Sequence, residues 1–239
     1  EAALEIWLKS YGENHPVTAT CYNNLGAALD KDKRTEEAIP YLEKALATRI
    51  KAFGPDHPEV ASCYNNLGAA LDNKGNYDEA IAYHGKALKI WLQTFGPDHP
   101  AVATTYNNGG GAYSRKGDYD KAVEYYGKCL AIELKTLGSE HPDVAITHNN
   151  LGNAYEKKGL PDKAVEHYEK CLAIETKTLP ADHPDLADSH YNVGKAYAKR
   201  KEREKALEHL QQARDIWHKK RGPEDPYVKN AQAMIDDLK

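Results

Sequence analysis

Val60, Tyr64, Leu67 and Leu71 follow one another at spacings of four, three and four residues, which lays one apolar stripe along a helix. Pro58 suits the first position of that helix, where its missing N–H costs nothing, and Asp56 or His57 can supply the preceding cap. Gly75 ends the helix. Tyr77 opens a second one, with Ala80, Ile81, His84, Ala87, Leu88, Trp91 and Phe95 at helical spacing before Gly96-Pro97 stops it. This second helix is apolar on more than one face, as expected of a helix packed between its own partner and the next unit.

The pattern recurs without slipping. Histidine followed by proline falls at His15, His57, His99, His141 and His183, always 42 residues apart, and Asp225-Pro226 continues the series. Fixed self-similarity at this length predicts a solenoid in which each unit packs on its neighbours. The spacing places repeats at about 16–54, 58–96, 100–138, 142–179 and 184–222, preceded by a partial second helix over 1–12 and followed by a lone first helix over 226–239. All are assigned to a single solenoid domain, 1–239. The start inside a unit, with no initial methionine, is expected of a fragment of a longer protein.

The spacing also carries a resemblance. Tyr106, Gly110, Tyr113, Ala122 and Tyr126 follow the tetratricopeptide pattern of aromatic, glycine, aromatic, alanine, aromatic, and His148, Leu151, Gly152, Tyr155, Ala164 and Tyr168 repeat it. The likeness covers essentially the whole chain. These units are eight residues longer than the family's usual 34, and with "YNNLG" in the first helix they resemble the repeats of kinesin light chains and their relatives. The resemblance implies an all-α, right-handed superhelical solenoid of antiparallel helix pairs, with the first helices lining its concave side.

Two adjacent asparagines interrupt each of the first four first helices: Asn23 and Asn24, Asn65 and Asn66, Asn107 and Asn108, Asn149 and Asn150; the fifth keeps Asn192. Each costs up to ~0.7 kcal/mol of helix propensity relative to alanine. They lie opposite the apolar stripe, beside Ser62, Ala69, Asp72 and Asn73, on a polar face. The resemblance implies that the second asparagine of each pair bonds to the main chain of an extended peptide, and the first of each pair, Asn23, Asn65, Asn107 and Asn149, is a candidate for contact with the same ligand. A carboxamide suits that task, since it offers both donors and an acceptor to a strand's peptide groups. The alternative is that the pairs hydrogen-bond between neighbouring helices and stiffen the solenoid.

Charge on that face is expected to tune specificity. Asp30, Lys31 and Asp72 lie toward the amino end, and Arg115, Lys157, Lys195 and Lys199 toward the carboxyl end, with Glu156 and Asp188 as counterweights. An acidic linear motif over the carboxyl half is one expectation. A solvated mixed-charge face is the other. The formal charge of −4 and the interspersed signs argue against a nucleic-acid partner. No stretch approaches the ~18 apolar residues of a membrane span. The four cysteines, Cys21, Cys63, Cys129 and Cys171, match neither a zinc site nor a CxxC motif and read as core residues of a reducing, cytoplasmic compartment.

Other features are local. "NNGGGAY", Asn107 to Tyr113, replaces a core leucine by Gly109, which predicts a void, a hinge or tolerated drift, and a gain in melting temperature on restoring leucine. "GGGAYSRKG" lacks the phosphate-loop spacing. Successive His-Pro histidines lie on the order of 10 Å apart, too far to share a metal, and read as caps. Pro40 predicts a late start or a kink in its helix. Trp7, Trp91 and Trp217 share a column near the ends of second helices, read as core, with an exposed docking edge as the alternative.

No set of unlike groups converges on one point, so no catalytic residue, cofactor or metal is assigned. The sequence is thus read as a non-catalytic adaptor holding an extended peptide of a protein partner. The other readings are a self-association module working through terminal or edge helices, and a sensor array attached to an enzyme domain beyond this fragment.

Overall fold

The computed structural model describes residues 2–239, with side chains from Glu5 onward. Among these residues there are twelve α-helices and no strand. The chain divides within α7 into two compact units, residues 1–132 and 133–239. Unit 1 comprises α1 (Ala2–Tyr11), α2 (Pro16–Lys31), α3 (Thr35–Phe53), α4 (Pro58–Lys74), α5 (Tyr77–Phe95), α6 (Pro100–Lys116) and most of α7 (Tyr119–Thr136). Unit 2 continues with α8 (Pro142–Lys157), α9 (Pro161–Thr178), α10 (Pro184–Lys199), α11 (Arg203–Arg221) and α12 (Pro226–Asp237). Within unit 1 successive helices from α1 to α6 pack on one another, α2 also meets α4 and α4 meets α6, and within unit 2 successive helices from α8 to α12 pack on one another.

The His-Pro column is the cap predicted for it. Nδ1 of His15, His57, His99, His141 and His183 accepts the N–H two residues on, at 3.1–3.2 Å, with proline in the first turn. Asp225 does the same for α12 at 2.9 Å. In unit 1 the preceding second helix braces the cap: Tyr11, Phe53 and Phe95 lie against His15, His57 and His99 at centroid distances of 4.7, 4.6 and 4.3 Å.

Within each hairpin the first helix carries a glycine where the second helix comes closest. A Cβ at Gly26, Gly68, Gly110, Gly152 or Gly194 would lie 2.5–2.9 Å from Leu42, His84, Tyr126, Tyr168 or Leu210. Ala38, Ala80, Ala122, Ala164 and Ala206 are fully buried on the second helices. Small residues at these two columns set how near the pair can pack. The turn between the helices needs a left-handed residue, supplied by Gly75, Gly117 and Gly159 but by Lys33 and Lys201 in the other two hairpins, both at φ 62°.

Three expectations meet the structure here. α6 runs unbroken through Gly109, so the triple glycine interrupts nothing. The predicted void is absent, because the Tyr125 ring occupies the space: a Cβ on Gly109 would lie 2.9 Å from its Cδ1. The gain expected from restoring leucine therefore does not follow. α3 starts at Thr35, in register with Tyr77 and Tyr119, and passes through Pro40, so its helix does not begin late. Trp91 and Trp217 are buried, as core packing requires, and Trp7 is partly so.

Candidate functional site

The asparagine columns are set by the helix period, which turns them away from Val60, Leu67 and Leu71 at the hairpin core. Asn23 is buried and Asn24 exposed, while Asn65, Asn66, Asn107, Asn108, Asn149, Asn150 and Asn192 are half-buried. The amides bond to one another from repeat to repeat. In unit 1 Asn66 Nδ2 donates to Asn23 Oδ1 at 3.1 Å, and Asn108 Nδ2 donates to Asn65 Oδ1 at 3.3 Å. In unit 2 Asn192 Nδ2 donates to Asn149 Oδ1 at 3.1 Å.

These bonds engage one N–H of Asn66, Asn108 and Asn192 and one lone pair on the carbonyls of Asn23, Asn65 and Asn149. Asn66, Asn108 and Asn192 keep a carbonyl and a second N–H, the pair of groups an extended main chain demands. Asn65 is anchored further. His84 Nδ1 lies 3.1 Å from its Oδ1, and burial pushes the His84 imidazole down to about 4, so a neutral ring donates that bond. Oδ1 of Asn65 is thereby doubly engaged.

The basic candidates divide. Arg115 pairs through two nitrogens with the buried carboxylate of Asp72, its Nε at 2.7 Å. Lys195 and Lys199 both reach Glu156, at 3.1 and 2.6 Å, and Tyr168 donates to the same carboxylate at 3.0 Å. Burial opposes ionisation of Glu156, but the bonds from Lys199, Lys195 and Tyr168 outweigh it and hold its carboxyl below the ordinary value. Lys157 is exposed. Asp30 accepts from Thr35 at 2.7 Å and from Asn73 at 2.9 Å. Three of the four cations are therefore matched by carboxylates of the preceding repeat, leaving an excess only in unit 2, from Lys157 and from two lysines sharing one carboxylate.

Periodicity alone did not reveal Glu156 as a hub, His84 as the brace of Asn65, or the two histidine pairs of unit 2, His148 with His167 and His190 with His209. For the pairs a signal existed, since they occupy columns held by tyrosine in the earlier repeats. A depression between α11 and α12, lined by Arg214, His218, Val228 and Gln232, contains none of the candidate asparagines. No helix among the described residues is long and apolar enough to cross a membrane.

Family models described as tetratricopeptide repeat match residues 18–59, 70–135, 110–177 and 143–219. Among solved structures, a protein of Podosopora anserina assigned as a kinesin light chain, with nearly identical tetratricopeptide-like repeats, is 29% identical over 87% of this chain and 98% of its own, with a TM-score of 0.76. BtubC from P. vanneervenii shares the fold at 23% identity and a TM-score of 0.76, over 87% of this chain and 82% of its own. YrrB, described as a tetratricopeptide protein with an unusual peptide-binding site, does so at 21% and 0.60, over 97% and 98%. A comparison with curated proteins returns no match. Proteins of this fold are generally non-catalytic scaffolds for contacts between proteins. With matched models over most of its length and helical hairpins stacked in a 42-residue period, the chain belongs to the tetratricopeptide repeat family, in the long-unit form seen in kinesin light chain-like proteins.

Proposed function

We propose that the chain is a non-catalytic adaptor that holds an extended peptide segment of a partner protein against the asparagine-bearing faces of its first helices. The observation that carries this reading is the residual bonding capacity of Asn66, Asn108 and Asn192 beside amides fixed by the repeat-to-repeat bonds. A fixed carboxamide loses little further freedom on binding, which favours affinity for a strand's main chain. Specificity for an acidic segment rests on unit 2, through Lys157 and the cation excess at Lys195 and Lys199. The cysteines, buried or half-buried and joined in no disulfide, accord with a reducing, cytoplasmic setting.

The same bonds support a second reading, in which the amides only clasp neighbouring hairpins. Peptide display against the chain and against Asn66→Ala, Asn108→Ala and Asn150→Ala separates the two. Loss of selected ligands at unchanged melting temperature supports the adaptor. Lower melting temperature with ligands retained supports the clasp. Light scattering over a concentration series tests self-association, the remaining alternative.

A further inference from the structure

Unit 1 and unit 2 differ in how the first helix of each hairpin meets the second. In unit 1 the contact is a tyrosine pair: Tyr22 with Tyr41, Tyr64 with Tyr83, and Tyr106 with Tyr125, at centroid distances of 6.0, 5.7 and 5.5 Å. In unit 2 the same columns hold His148 with His167 and His190 with His209, at 5.2 Å in both. Both members change together, in both hairpins. In each pair the two Nδ1 atoms lie 2.9 Å apart. Among the described residues no group of three or more potential ligands includes either pair, so the contact is a hydrogen bond rather than a metal site.

A neutral imidazole has one N–H and one lone pair. One Nδ1–H therefore donates to the other Nδ1, whose ring carries its proton on Nε2. Protonating the accepting nitrogen brings two N–H groups head to head at hydrogen-bond distance, and the rings must part. The tyrosine pairs hold no group that titrates between pH 4 and 7.

We propose that the two histidine pairs make unit 2 an acid-sensitive module, in which proton uptake at the pairs loosens the α8/α9 and α10/α11 hairpins. The surroundings favour the neutral closed form. His148 is pushed down to about 4, chiefly by burial, then by His167 and the Lys170 ammonium, with Glu166 opposing. His167 is lowered by burial, with Lys170 and Lys163 adding and Glu166 opposing, and the Tyr155 ring stacks on it at 5.3 Å. Burial, then His209, pushes His190 down to about 4. His209 is lowered by burial against Glu208 and Glu169, with Lys205 adding, under the ring of Tyr197.

Folded values below the ordinary 6.5 mean that the opened hairpin binds more protons as pH falls between 6.5 and 4. The stabilisation is complete above that window and is lost on descending through it. At about pH 5 a histidine shifted from 6.5 to about 4 raises the opening constant roughly thirtyfold.

Hydrogen exchange of the full chain, corrected for the intrinsic pH effect, reads the opening hairpin by hairpin. The α2/α3 hairpin is the reference because it contains no histidine, whereas α5 carries the buried His84. Between about pH 7.5 and about pH 5, residues 142–178 and 184–221 should lose protection by roughly tenfold or more relative to 16–53. Transplanting the tyrosines (His148→Tyr, His167→Tyr, His190→Tyr, His209→Tyr) should abolish the difference. The reciprocal Tyr22→His, Tyr41→His variant should create it in α2/α3. Equal acid responses in the two units, or a response that survives the tyrosine transplant, would overturn the proposal.

Discussion

Gly109 offers a test of whether local packing or intrinsic helix propensity governs the third repeat. Leucine there would recover about 1 kcal/mol of propensity lost to glycine in a helix interior. It would also place a Cβ 2.9 and 3.0 Å from Cδ1 and Cε1 of Tyr125, with the rest of the side chain directed at the same ring. Tyr125 would have to leave its edge contact with Tyr113, at a centroid distance of 4.9 Å, a contact worth about 0.5–1.5 kcal/mol. Tyr125 is only half-buried and can give toward solvent, so overpacking adds about 1 kcal/mol, the low end of its range. The cost exceeds the gain, so Gly109→Leu is expected to destabilise the chain by about 1 kcal/mol and lower its melting temperature by about 2–4 °C. Tyr125→His imports the combination that unit 2 already uses at Leu151 and His167. In that background the leucine should be neutral or stabilising, giving a coupling of about 1–2 kcal/mol in a double-mutant cycle followed by circular dichroism. A rise in melting temperature for Gly109→Leu alone, or additivity within about 0.5 kcal/mol, would refute the reasoning.

Other positions give sharper single readouts. Lys33 and Lys201 hold a left-handed turn that glycine fills in three other hairpins, so Lys33→Gly and Lys201→Gly should each stabilise by about 1 kcal/mol in chemical denaturation. Glu156→Gln removes the carboxylate shared by Lys195, Lys199 and Tyr168 and should cost about 2 kcal/mol, while isothermal titration should detect tighter binding of an acidic peptide. Glu175 is raised above the ordinary carboxylate value by burial, with Ser189 and Cys171 opposing and Asp185 and Asp188 adding, and its Oε2 has no hydrogen-bond partner. A raised folded value means that its contribution is most favourable below the unfolded pKa and is lost as pH rises. Glu175→Leu should therefore stabilise by about 1 kcal/mol near pH 7, the advantage closing as pH falls toward about 4.5 in paired thermal melts.

The fold was legible because its rules are periodic. Proline at the first helical position and a capping side chain before it are local signals that recur six times along the chain, and the stripe at spacings of four, three and four recurs with departures at Thr18, Gly109, His148 and His190. The choice of His57 over Asp56 as cap needed coordinates, since either side chain can reach the free N–H groups. Gly109 was misread for a related reason. Sequence shows that leucine is missing from its column but not that Tyr125, sixteen residues later, turns into the space.

The candidate site was legible as a column and illegible as a network. Helical spacing predicts a polar face of asparagines; whether their amides meet a guest or one another depends on the offset between adjacent hairpins, which only packing decides. In both units that offset joins the second asparagine of one repeat to the first of the repeat before it, and the same offset brings Arg115 to Asp72 and Lys199 to Glu156. One geometric relation thus both rigidifies the amide column and offsets two of the four cations that sequence placed beside it, Arg115 and Lys199. On the proposed reading, a partner would meet a stiff array of hydrogen-bonding groups with only a modest cation excess, confined to unit 2, which favours recognition of main chain over long-range charge steering. If so, raising the ionic strength should slow association only modestly, and a peptide with N-methylated backbone amides should lose far more affinity than one with its acidic side chains neutralised.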